Sequence, residues 1–89
     1  IDVDVNAARS ALAIVDDLLP VLPQEIAAQL RPELETLRLQ LAKPTPSPGI
    51  LLEIGKSIRA IIEGTVAGAL APQALSTVSA LLVALGLGS

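Results

Sequence analysis

The stretch "EGTVAGALAPQALSTVSALLVALGLGS", Glu63 to Ser89, holds no charged residue after its first position. Gly64 and Gly68 lie four apart in what reads as the end of a helix, and Pro72 interrupts the run. Three surroundings suit such a segment: a bilayer, the core of a folded domain, or a surface shared with another chain. The choice among them decides the fold.

From Gly64 to Leu87 there are 24 uncharged residues, enough as one helix to cross ~30 Å of hydrocarbon. Pro72 falls near the middle, and Gln73, Ser76, Thr77 and Ser79 cluster after it. No aromatic belt and no basic flank frames the segment. A folded, non-spanning reading fits better. Leu75, Val78, Leu82 and Leu85 recur at spacings of three, four and three, with Leu81 beside Leu85. Such a helix is apolar front and back and needs cover on all sides. A symmetric pair of chains provides that cover if their last helices meet at a two-fold axis.

Composition points the same way. The chain has 89 residues, 52% of them hydrophobic, with a mean hydropathy of +0.67. Only Leu, Ile, Val and Ala supply the large apolar set; Phe, Trp, Tyr, Met and Cys are absent. A chain of this length buries only about 60–65% of its unfolded surface. The surplus of apolar side chains calls for a partner surface. The sequence opens on Ile rather than Met, which suggests a fragment or a processed product, and Ile1-Asp2-Val3-Asp4 is unlike a signal peptide.

The same composition excludes most chemistry. Without His or Cys, neither a Ser–His nor a Cys–His pair can be built. Zinc and most transition-metal sites lose their usual ligands too. The glycines follow neither phosphate-cradling pattern. We therefore expect no enzyme, no cofactor and no metal. A net charge of −3, six scattered basic residues and no aromatic to stack on a base argue against nucleic acid.

Working back from the opening stretch, the rest reads as helices. Val5, Ala8, Leu12, Val15 and Leu19 repeat at spacings of three and four, with Asn6 as the expected N-cap, giving a helix over 6–19. Leu19-Pro20 ends it, and Asp16 and Asp17 read as a solvated edge. Ile26, Leu30, Leu34, Leu37 and Leu41 give a second helix over 23–42, broken or kinked at Pro32, with a break the favoured reading because an internal proline clashes with the carbonyl of Ala28. Gln29, Arg31, Glu35, Arg38 and Gln40 form its polar face.

Residues 43–47, opening "KPTPS", are a proline-rich connector of extended, semi-rigid character, usable also as a ligand for an SH3-like partner. Ser47 and Pro48 read as cap and first turn of a third helix over 48–71, whose apolar face is Leu51, Ile54, Ile58, Ile61 and Ile62. A fourth covers 72–85 with Gly86 as its cap. Ala60, Gly64 and Gly68 then fall on one stripe, widened by Ala67 and Ala71, where a second backbone could approach closely. The charges divide unevenly: residues 1–45 carry seven acids and four bases, residues 49–89 two of each, all before residue 64.

"LAKPTPSPGILLEIGKSIRAIIEGTVAG", Leu41 to Gly68, resembles helical tails of uncharacterised multidomain bacterial proteins. Lys43, Pro44, Pro46, Ser57, Ile58, Arg59, Ile62, Glu63 and Gly64 carry the likeness, over about a third of the chain. It implies an accessory module that associates while other domains carry an activity.

The expectation is one all-α domain over 1–89, a four-helix bundle or two helical hairpins around the connector, completed by dimerisation. Its function would be non-catalytic self-association as a homodimer through the 50–85 region, in the cytoplasm, with a large hydrophobic interface of the obligate kind. The interface candidates are Ile58, Ile61, Ile62, Gly64, Gly68, Leu75, Val78, Leu82 and Leu85. Two alternatives stay open: a membrane-active module that inserts its 64–87 segment, and an adaptor that holds another protein's helix.

Overall fold

The computed structural model describes residues 3–66 and 68–87. Ala67, named in the glycine stripe, and Ile1 and Asp2 of the lead-in lie outside the described residues. Four helices follow in order: α1 Val5–Leu18, α2 Gln24–Leu41, α3 Pro48–Glu63 and α4 Pro72–Leu82. A short 3-10 turn, Leu19–Val21, follows α1, and a wide turn, Val83–Leu87, follows α4. The described residues contain no strand, so the all-α expectation holds.

Asp4, not Asn6, caps α1: its Oδ1 accepts from the Ala7 amide at 3.0 Å. The earlier start carries Val5 into the helix, where it is half-buried against the core at the head of its own apolar stripe. An acid at this end also complements the helix dipole.

α2 runs unbroken through Pro32, against the expected break. Leu30, Leu34 and Leu37 on either side are all but fully buried and hold both halves on one face. Ala28, whose carbonyl loses its partner to the proline, is exposed, so water can satisfy that group. The connector begins with a turn and bends over 42–45 rather than an extended run, but the start of α3 is as expected. Ser47 accepts from the Ile50 amide at 3.5 Å, with Pro48 in the first turn of α3. Gln40 departs from the polar-face reading: it is buried, and its Oε1 accepts from the Ser47 amide at 3.0 Å.

α3 is shorter than its spacing suggests. The helix stops at Glu63 rather than continuing to 71. Thr65 turns its hydroxyl back to the Ile61 carbonyl at 2.8 Å, and Gly68 takes a φ of +83°. The chain must reverse between α3 and α4, and glycine adopts that left-handed conformation without a Cβ penalty. Ala60, Gly64 and Gly68 therefore do not form one helical stripe.

Consecutive helices are neighbours: α1 packs on α2 and α4, and α3 packs on α2 and α4. The diagonal pairs do not approach among the described residues. This is a four-helix bundle with one core, to which Leu30, Leu34, Leu37, Leu51, Ile58, Leu81 and Leu85 all belong. The Asp4 amide donates to the Ala84 carbonyl at 2.9 Å, so the start of α1 is tied to the end of α4. α4 ends at Leu82, three residues before the expected 85, and Gly86 takes a φ of +93° within the wide turn that follows. The radius of gyration is 12.0 Å, against about 12 Å for a compact chain of this length.

α4 is not apolar all round. Ala74, Val78, Leu81 and Ala84 turn inward and are buried, while Ser76, Ser79 and Ala80 face outward with Leu75 and Val83. One copy therefore supplies the inner half of the cover that the sequence demands. The outer half is small and partly hydroxylated, which water tolerates.

Candidate interaction surface

The helices leave one end of the bundle capped by two turns. The first joins α1 to α2 through Leu19–Pro23, and the second, described over 64–66 and 68–71, lies between α3 and α4. Between the first turns of α2 and the end of α3 lies a cleft of about 490 Å³. Glu25, Ile26 and Gln29 form one wall, and Ala60, Ile61, Gly64 and Val66 the other. A second hollow of about 470 Å³ lies between Leu18, Val21 and Leu22 on one side and Ala69, Ala71 and Ala74 on the other. Pro23 and Ala69 belong to both. A small recess of about 110 Å³, between Ile62, Gly68, Leu70 and Leu75, shares Thr65 and Val66 with the cleft.

This surface carries little charge because of what its turns are made of. Pro20 and Pro23 restrict the first turn and remove amide donors. Glycine and alanine dominate the second, so few side chains fill the space between the helix ends. Val66 and Val21 project from these turns at 80% and 75% exposure.

The nine interface candidates separate into three groups. Ile58, Val78 and Leu85 lie in the chain's own core, at 0%, 1% and 0% exposure, and have no surface to offer a partner. Leu82 is half-buried against that core. Ile61, Ile62, Gly64, Gly68 and Leu75 line the cleft and the small recess around the 64–71 turn. A Cβ at Gly68 would meet nothing within 4 Å, and one at Gly64 would meet carbonyls of α3. Close approach occurs instead at Gly55, where a Cβ would stand 2.5 Å from Leu87 Cδ1 and 3.3 Å from Leu85 Cβ. Val21 and Leu22 were absent from the candidates, because nothing in the order of residues says that the first turn meets the last one.

Arg9 and Arg38 sit elsewhere and have structural roles. Arg9 reaches from α1 to the last carbonyl of α2: Nη2 and Nε donate to Leu41 O at 2.7 and 3.3 Å. A cation there also complements the helix C-terminus. Arg38 bridges Asp16 and Glu35, so Asp16 is paired rather than simply solvated. The Asp16 carboxylate, through its hydrogen bond and its charge, holds the Arg38 guanidinium above its ordinary range.

Chemically, the end of the bundle offers aliphatic contact, the amides of Gln24, Gln29 and Gln73, the Thr65 hydroxyl and one carboxylate, Glu25. Among the described residues no three His, Cys, Asp or Glu side chains group to hold a metal ion, and no helix is long and apolar enough to cross a membrane. Comparison with protein-family models, with curated proteins and with solved structures finds no match in any of the three.

Proposed function

We propose that the chain is a non-catalytic self-association module that forms a homodimer through the exposed part of its 50–85 region. The observation that carries this reading is an unbalanced surface. All fifteen charged residues precede Gly64, while Val66, Leu75 and Val83 stay exposed beyond it. An uncharged surface with exposed aliphatic side chains is what a partner covers most readily.

Because the core closes within one chain, the expected interface is of standard size rather than obligate. Such an interface hides about 800 Å² per partner, roughly 15% of the 5219 Å² that one copy exposes. The role extends to an accessory one, in which pairing brings together the other domains of a larger bacterial protein in the cytoplasm. Its support is the resemblance carried by Leu41–Gly68. Light scattering without detergent tests the reading: a particle of twice the 9.1 kDa chain mass supports it, and one of 9.1 kDa at all concentrations removes it.

A further inference from the structure

Two hairpins make up the bundle, α1 with α2 and α3 with α4, joined by the proline-rich connector over 42–47. Each helix packs more extensively on a helix of the other hairpin than on its own partner: α1 on α4, and α2 on α3. The buried face of one hairpin is therefore covered mainly by the other. Leu30 and Leu37 of the first share a core with Leu51 and Leu81 of the second. The connector that closes this pairing is bent against its own preference. Pro44, Pro46 and Pro48 each drive the residue before them to extended backbone, and alternating prolines favour a straight run. The chain instead turns and bends over 42–45. Buried Gln40 clasps the bend, its Oε1 accepting from the Ser47 amide at 3.0 Å.

We infer that this connector is a hinge through which two copies of the chain exchange hairpins. In the exchanged dimer, α1 and α2 of each copy pack on α3 and α4 of the other. The connector then runs straight, spanning about 20 Å at the rise of a polyproline helix. A second copy is the partner because it brings the same hairpin that already covers the face in one chain. The helix contacts of the core are kept, so the closed chain and the exchanged pair differ at the hinge and in the entropy of pairing. A short hinge under strain favours exchange. This mode goes beyond the surface pairing proposed above and does not depend on it. Surface pairing leaves both cores closed and reverses promptly on dilution. Exchange requires both cores to open, so its dimer separates at the slow rate of unfolding.

The test uses three full-length forms: the wild type, Gln40→Met, and a variant lacking Lys43–Pro46, in which only Ala42 and Ser47 remain to turn the chain. Each is refolded from urea at high concentration, diluted, and followed by size-exclusion chromatography with light scattering, with circular dichroism to verify helicity. The expected result is a species of twice 9.1 kDa that persists for hours after dilution. It should predominate in the deletion variant. Loss of the Gln40 clasp, which only the closed chain uses, should raise the ratio of persistent dimer to monomer by roughly fivefold over wild type. A folded deletion variant without a persistent dimer overturns the hinge. If that variant does not fold, the comparison of Gln40→Met with wild type decides: a raised ratio supports exchange, and an unchanged ratio or no persistent dimer overturns it. A dimer that dissociates promptly on dilution in every form overturns exchange and leaves surface pairing standing. Monomers alone in all three forms overturn both.

Discussion

Gly55 and Leu87 stand so close that one methyl group does not fit between them: a Cβ on Gly55 would lie 2.5 Å from Leu87 Cδ1. Gly55 is buried in the middle of α3, where glycine weakens a helix by up to about 1 kcal/mol relative to alanine. The packing of the terminal turn offsets that loss. Gly55→Ala should destabilise the fold by about 1 kcal/mol, since displacing Leu87 and crowding Leu85 outweigh the gain in helix propensity. In a Leu87→Ala background the same change should stabilise. A double-mutant cycle by urea denaturation measures the reversal of sign.

The two glycines that stand out in the sequence should behave differently from Gly55 and from each other. Gly68→Ala places a side chain at φ +83° and should cost about 1–2 kcal/mol through the backbone alone. Gly64 has right-handed dihedrals at the end of α3 and open space apart from carbonyls of that helix. Gly64→Ala should change stability by less than about 0.5 kcal/mol. Thermal melts at 222 nm distinguish the two, and equal losses would speak against the turn at 64–71.

These glycines mark where residue order stops being informative. Apolar spacing locates all four helices and Ser47-Pro48 marks the start of α3, because each depends on neighbours within one or two turns. Gly64–Ala71 keeps helical spacing, and its two glycines weaken a helix without forbidding one, so residue order alone does not place the end of α3 at Glu63. Pro32 obeys a local rule that the burial of Leu30, Leu34 and Leu37 overrides. The close approach at Gly55, the hold of Arg9 on Leu41, and the meeting of Val21 with the 64–71 turn depend on partners more than thirty residues away.

Gln40 should matter more than the visible ion pairs. Its buried Oε1 satisfies the Ser47 amide and fixes the proline-rich connector against α2. Gln40→Met keeps the volume, removes the acceptor, and should cost about 1–2 kcal/mol. The exposed Arg38 bridge to Asp16 and Glu35 is screened by solvent. Arg38→Met should cause a smaller loss that vanishes at high salt, whereas the Gln40→Met loss persists there.

A core closed within one copy predicts that a dissociated protomer remains folded. Dilution through the dimer–monomer transition should leave the helical circular dichroism unchanged, with melting temperature falling only slightly as the linkage to association is lost. Loss of helicity in step with dissociation would instead mean an obligate pair with an incomplete core in each chain.

Self-association itself is tested most directly by sedimentation equilibrium of the wild-type chain without detergent, from low to high micromolar concentration. A reversible rise from the 9.1 kDa protomer to a species of twice that mass, and no further, is the expected result. A single 9.1 kDa species over the whole range would contradict it.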